Sequence, residues 1–276
     1  KPILMEVLKA AVNRPQPHRI GNNTLYFYPV NATPGRRLIP LEIVFRFGMP
    51  SGSSLPQRLA RDPAYARTLG LKNTPEIGTF FEHPVLEFYT KLEPKDRLLS
   101  LQEATLVSGL NAQQFENLVE LSLDIAMALY FIFADRSIEL WDGKIEMVVD
   151  EDGTLMLADS VGPDELRLLF DGCHLSKEMI RQIYRGSPWE QSIKDAQERA
   201  AQSGDRSWKE IVIEDLGQQP EPLKENLKSI IDQLYGSITN HVLKTEVIAE
   251  QPSLKDFVRQ VPAYLLSMPA SGVRFT

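Results

Sequence analysis

The stretch "LWDGKIEMVVDEDGTLMLADSVGPDELR", Leu140 to Arg167, constrains the fold most. Two apolar-rich runs flank "DEDG", Asp150 to Gly153, and this turn chemistry predicts a β-hairpin. Side chains alternate across a strand, so Asp142, Lys144 and Glu146 share one face, and Ile145, Met147 and Val149 share the other. A symmetric closure sets Lys144 opposite Asp159 and Glu146 opposite Leu157, which clusters Lys144, Glu146 and Asp159. A bulge at the turn would shift that register. Two chemistries suit such a face. One is a solvated sheet surface with one salt bridge, the simpler reading on this segment alone. The other is Mg²⁺ held against nucleotide phosphates, which needs only one or two protein carboxylates plus phosphate oxygens. The lysine would then offset phosphate charge as a point cation.

The rest of the chain decides what can reach this face. "ILMEVLKAAV" has helical spacing, and "NRPQPHRIG" is turn chemistry. "TLYFYPVNA", "LIPLEIVFRF" and "PVLEFYTKL" read as strands. "GMPSGSSLPQR" reads as a loop, and residues 59–83 look irregular, with Pro63, Gly70, Pro75 and Gly78. Ser100 and Glu103 form a capping box, and Asn111 caps a helix striped with Phe115, Leu118, Val119, Ile125, Ala126, Leu129, Ile132 and Phe133. Ser176 starts another helix, and "SPWE" gives a second capping box with Pro188 at the first helical position. "PLKENLKSIIDQLYGSITNHVL" is amphipathic, and the terminal "PSLKDFVRQVPAYLLS" is a helix broken by Pro262. Strands come first and helices accumulate later, so the predicted class is α+β.

Bulk properties exclude several functions. A chain of 276 residues is long enough for a substantial core. A net charge of −7 lacks the broad positive field of a nucleic-acid binder, while local Arg and Lys still suit an anionic small substrate. The single Cys173 excludes an internal disulfide and a thiolate metal cage, and fits a reducing cytoplasm. Beside His174 it reads as a small buried residue rather than a nucleophile, since no base is placed for it. The run "AMALYFIFA" is too short to cross a bilayer, and no charged-then-apolar signal opens the chain. Neither a Walker spacing nor G-x-G-x-x-G occurs.

Three segments, read in order, change the balance. "IPLEIVFRFGMPSGSSLPQR", "PVLEFYTKLEPKDRLLSLQEA" and the hairpin each resemble segments of the SAICAR synthetase family, and "SKEMIRQIYRG" after them does too. "GPDELR" beside "DGKIE" is most similar to the archaeal type. The resemblance covers about Ile39 to Ala200. It implies a two-lobed, ATP-grasp-like fold and an ATP-dependent ligase of purine biosynthesis, which joins the carboxylate of CAIR to L-aspartate. It implies Glu146 and Asp159 as Mg²⁺-nucleotide carboxylates, with Lys144 near the phosphates and substrate. Arg46, Ser53 or Ser54, and Arg167 match substrate-holding residues, and Lys91 and Asp96 match a polar pair near the substrate. ATP and Mg²⁺ are the implied cofactors, with small molecules as the other partners and homo-oligomerisation left open. A ligase acting on another carboxylate, or a non-catalytic nucleotide-binding relative, would share the scaffold.

The family begins with a strand bearing a G-K type motif, followed by a glycine-rich turn over the ATP phosphates. Nothing similar precedes Lys1, and "KPILMEVLKAAV" resembles the helix that follows that first sheet. The expected organisation is therefore a remainder of the nucleotide lobe over 1–38, a lobe carrying the substrate and Mg-ATP site over 39–245, and an extension over 246–276. With its nucleotide lobe incomplete, as a fragment or a diverged relative, such a chain would bind nucleotide weakly and have low or no ligase activity.

Overall fold

The computed structural model describes residues 7–21, 23–29, 33–50, 52–203, 206–262 and 265. The strands are β1 (Gln16–Ile20), β2 (Asn23–Phe27), β3 (Arg37–Leu38), β4 (Leu41–Met49), β5 (Thr79–Thr90), β6 (Leu98–Leu99), β7 (Glu139–Val149), β8 (Leu155–Ala158), β9 (Leu166–Phe170) and β10 (Cys173–His174). The helices are α1 (Leu55–Arg61), α2 (Tyr65–Thr68), α3 (Leu101–Ser108), α4 (Ala112–Ala134), α5 (Lys177–Ile183), α6 (Pro188–Ser203), α7 (Trp208–Glu210), α8 (Glu225–Leu243) and α9 (Leu254–Gln260). The chain is α+β, as its pattern predicts. β1 and β2 form a two-stranded sheet. The main sheet runs β10-β9-β7-β4-β5-β6, and β3 and β8 also pair with β7.

Two compact units divide the chain. The first comprises Lys1–Val44, Glu87–Ser122 and Lys144–Ser160, and the second Phe45–Leu86, Leu123–Gly143 and Val161–Thr276. In the first unit, Leu41 and Ile43 of β4 are fully buried, as is Met147 of β7. Phe88 packs on Phe115 of α4 with ring centroids 5.5 Å apart. Ser100 and Glu103 close the predicted capping box at α3, and Asn111 Oδ1 accepts from the Gln114 N–H at 2.9 Å. In the second unit, Phe45 is fully buried and Phe47 stacks on Tyr130, with centroids 4.8 Å apart. Among the described residues, α4 is by length and composition long and apolar enough to cross a membrane, which the shorter run "AMALYFIFA" did not indicate. Its Leu118 and Ala126 are fully buried within the protein.

Several expectations are corrected. The hairpin forms, but its register is one residue from the symmetric one: Glu146 pairs with Ala158 and Met147 with Leu157. The cause is the loop between Val149 and Leu155, where Gly153 takes φ +83° and the Asp150 carboxylate accepts from the Asp152 and Thr154 N–H groups. Residues 7–10, inside the predicted first helix, are not helical, and the preceding six lie outside the described residues. Ala11 instead bonds β3: its N–H donates to Arg36 O at 2.7 Å, and its carbonyl accepts from Leu38 N–H. Pro15 and Pro17 favour extended backbone before them, and Gln16–Ile20 becomes a strand rather than a turn. The predicted loop "GMPSGSSLPQR" ends in α1, because Pro56 sits in the first turn, where its missing N–H costs nothing. The irregular stretch contains α2, and Met49, Leu55, Leu59 and Ala66 form a buried cluster there.

Candidate active site

β7 presents three charged residues at alternate positions: Asp142, Lys144 and Glu146. Each has acquired a partner from another element, and the partners differ between the two units.

In the first unit, the Glu146 side chain is 7% exposed and accepts from the Lys91 ammonium. Lys144 Nζ lies 3.7 Å from the same carboxylate and 3.2 Å from Glu42 on β4. Lys91 immediately follows β5, and its N–H is anchored on Pro40 O at 3.1 Å. Asp96 belongs to this charge cluster. Although the residue as a whole is exposed, loss of water around its carboxyl lifts its pKa above the usual range. The Glu42 charge adds to that lift, while Lys91 and Lys144 oppose it. Sequence reading paired Lys91 with Asp96 and missed Glu42. The signal for Glu42 was present, since it alternates with Arg46 along β4 and faces away from buried Leu41 and Ile43.

The raised Asp96 pKa gives a stability prediction. The folded protein holds the proton more tightly than the unfolded chain, so ionisation costs stability once pH exceeds the folded pKa. Asp96→Asn should therefore raise the melting temperature at pH 7. The gain should fade in acid, where the wild-type carboxyl is protonated in both states. Thermal melts across pH 3–8 check this; a gain that grows toward acid would contradict it.

Asp159 lies just beyond β8 with φ +61°, exposed, and its Oδ1 accepts from the Ser160 N–H at 2.8 Å. The shifted register removes the predicted pairing of Asp159 with Lys144, and among the described residues Asp159 forms no ion pair. No group of three His, Cys, Asp or Glu side chains able to hold a metal ion occurs among the described residues.

In the second unit, Asp142 is 7% exposed and bridges two guanidiniums. Arg46 Nη1 donates to its Oδ2 at 2.7 Å, and Arg167 Nε donates to its Oδ1 at 3.1 Å. Arg46 is itself 4% exposed, and its Nη1 also donates to Ser53 Oγ at 3.2 Å. Ser54 is drawn elsewhere, accepting from Arg58 at 3.0 Å. A register shift between Leu140 and Asp142 sets Asp142 directly across from Arg167 on β9. The next residue must be glycine for packing reasons. A methyl group at Gly143 would lie 2.5 Å from Phe45 Cζ and 2.6 Å from Leu166 Cδ2.

Beside Arg167 lie Glu178 and Arg185, joined at 3.2 Å, which sequence reading did not single out. Helical spacing alone does not say which arginine of a helix approaches a neighbouring strand. His174 is 2% exposed, and its pKa is lowered to about 4 by burial first, then by Arg167 and Arg185. Cys173 is fully buried, and burial pushes its thiol up to about 12, so it is not a thiolate nucleophile at neutral pH. Chemically, the second unit offers guanidinium forks with a serine for an anion, and the first offers two ammoniums with carboxylates.

Comparison with known proteins identifies the family. The SAICAR synthetase family model matches residues 32–196. A putative phosphoribosylaminoimidazole-succinocarboxamide synthase of Archaeoglobus fulgidus is 35% identical over 232 residues, covering 84% of this chain and 66% of the relative. The phosphoribosylaminoimidazole-succinocarboxamide synthase of Thermoplasma acidophilum is 28% identical over 234 residues, covering 80% of this chain and 76% of that protein. The SAICAR synthase of Saccharomyces cerevisiae, solved in complex with SAICAR, shares the fold with a TM-score of 0.52 at 16% identity, covering 76% of this chain and 62% of that one. The chain thus spans 66% of the length of the Archaeoglobus relative. With 165 consecutive residues inside the family model, and the archaeal relative aligned over most of its length, the chain belongs to the SAICAR synthetase family.

Proposed function

We propose that this chain carries the ligase site of a phosphoribosylaminoimidazole-succinocarboxamide synthase: ATP activates the carboxylate of CAIR, and the amine of L-aspartate captures it. The observation that carries this reading is β7 itself. Within five residues it supplies Asp142, bonded to Arg46 and Arg167, and Glu146, bonded to Lys91. The first set suits an anionic sugar substrate. The second suits the phosphates of a nucleotide.

The chemistry follows from what the substrates lack. A carboxylate does not acylate an amine, because oxide is not a leaving group. Transfer of the ATP γ-phosphoryl to the carboxylate oxygen gives an acyl phosphate and ADP. The aspartate amine then attacks the acyl carbon, phosphate departs with that oxygen, and the amine loses a proton. Such transfer needs mainly positioning and charge neutralisation. Lys91 and Lys144 would neutralise phosphate oxygens, and Arg46, Arg167 and Ser53 would hold the sugar substrate. Asp96 would serve as a polar contact near it, and Ser54 as a turn residue beside Ser53.

Magnesium fits here only as part of a nucleotide complex. Glu146 offers one buried carboxylate, already engaged by lysine, and the family resemblance assigns Asp159 as the second. One or two carboxylates plus phosphate oxygens suffice for a nucleotide-bridged Mg²⁺. When bound, the ion would offset charge on the transferring phosphoryl group. The single buried thiol and the use of ATP agree with a cytoplasmic setting.

Carboxylate-labelled [¹⁸O]CAIR tests the route: one labelled oxygen should appear in the released phosphate, and unlabelled phosphate would refute the acyl phosphate. Arg167→Lys tests the assignment of the guanidiniums. It keeps charge but loses the planar fork, so the KM for CAIR should rise about tenfold or more while ATP affinity stays within about twofold. Loss of ATP affinity with CAIR binding intact would reverse the roles.

A further inference from the structure

Arg167 pairs with a buried carboxylate, Asp142, which it shares with Arg46, and a second arginine shows a similar arrangement. Glu178, in the first turn of α5, is 7% exposed. Its Oε1 accepts from Arg185 Nη2 at 3.2 Å, and its Oε2 from Arg181 Nη1 at 3.3 Å. A buried carboxylate holds a definite position only if it is paired, and here it fixes arginines whose side chains are otherwise more than half exposed.

The turn at Gly52 shows where Arg185 is held. A methyl group at Gly52 would lie 3.4 Å from Arg167 Nη1, 3.5 Å from Arg185 Nη2 and 3.6 Å from Glu178 Oε1. A side chain at this position would therefore meet both guanidiniums, and Gly52, at φ +77°, carries none. His174 reports the same proximity, since both arginines oppose protonation of its buried ring. The Nδ1 of that ring has no hydrogen-bond partner among the described residues.

We infer that Glu178 is a positioning residue: it holds the Arg185 guanidinium at the Gly52 turn beside Arg167, so that the two receive one phosphate monoester dianion. Two like charges side by side repel, and each is partly offset by a buried carboxylate: Asp142, which Arg167 shares with Arg46, and Glu178, which Arg185 shares with Arg181. Two guanidiniums held at one turn match the two charges of such a dianion. The inference rests on the phosphosugar substrate proposed above and adds a second guanidinium and its holder to that site.

The test uses ribose 5-phosphate, with ribose as control, in calorimetric titrations of the protein. Simple electrostatics predicts that deleting a carboxylate near an anion site tightens binding. Positioning predicts the opposite. Glu178→Gln should weaken ribose 5-phosphate binding about tenfold or more, with the circular-dichroism spectrum retained. Arg185→Ala should lose a similar factor, and the double variant should lose no more than Arg185→Ala alone. Unchanged or tighter binding in Glu178→Gln, or additive losses in the double variant, would overturn the inference. Should Glu178→Gln fail to fold, Arg185→Lys decides: it must lose affinity because the fork is gone, and wild-type affinity would overturn the inference. If the wild-type protein does not bind ribose 5-phosphate, the phosphosugar reading fails and takes the inference with it. Wild-type binding with indifferent variants removes only the role of Glu178.

Discussion

Glu146→Gln should lower turnover on the order of 10²–10³-fold and weaken magnesium-dependent ATP binding. The substitution preserves shape and removes one charge, so the loss reports electrostatics rather than packing. Glu146 is the carboxylate on which the Lys91 and Lys144 ammoniums converge, and its side chain is 7% exposed. With an amide there, nucleotide phosphates would still meet two cations, but no anionic oxygen would remain at that position for a bridging metal. Steady-state turnover and ATP titrations with and without Mg²⁺ check the two effects separately. A purely structural role for this buried ion pair predicts instead a loss of stability and no change in rate. Wild-type turnover in the variant would remove Glu146 from the site.

Asp142→Ala should produce the largest stability loss, about 3–5 kcal/mol. Asp142 gives one oxygen to Arg46 and the other to Arg167, with the two arginine side chains 5% and 15% exposed. Its removal leaves two desolvated guanidiniums without their shared counter-charge, and they repel. Asp142→Asn keeps one acceptor oxygen and the side-chain volume, so it should lose less. Chemical denaturation midpoints of the three proteins check the order. CAIR binding should fall in both variants, because the guanidiniums lose the group that aligns them. A wild-type midpoint for Asp142→Ala would mean that other contacts of these arginines hold the arrangement.

The hairpin was legible because its turn residues and its period of two agree. Its register was not, because Gly153 adopts a left-handed conformation and the loop lengthens by one residue; the letters "DEDG" fit both closures. The charged face of β7 was legible for the same reason as the hairpin. The partner of each charge was less so. Arg46 and Lys91 come from strands distant in sequence and were found only through the family pattern. Asp142 was visible on the right face, but its two arginine partners depend on an irregularity near Trp141 that no local signal announces.

Helix readings failed where one residue type has two uses. Pro56 reads as a breaker inside a loop, yet in a first turn it starts a helix. Val7 to Val12 have helical spacing, but Val7 is 81% exposed and Ala11 spends its backbone groups on β3. Periodicity cannot hold a helix without a face to bury. Glu178 is the second residue of α5 and Arg185 lies two residues beyond its end, where many charged residues fit a solvated surface equally well. Only their distances from Gly52 distinguish them.

The most direct measurement is ADP release followed alongside SAICAR formation, with CAIR and L-aspartate each withheld in turn. Sustained release is expected only when both are present, with one SAICAR formed per ADP. Sustained ADP release that continues without aspartate would contradict the assignment of this chain's site to amide ligation.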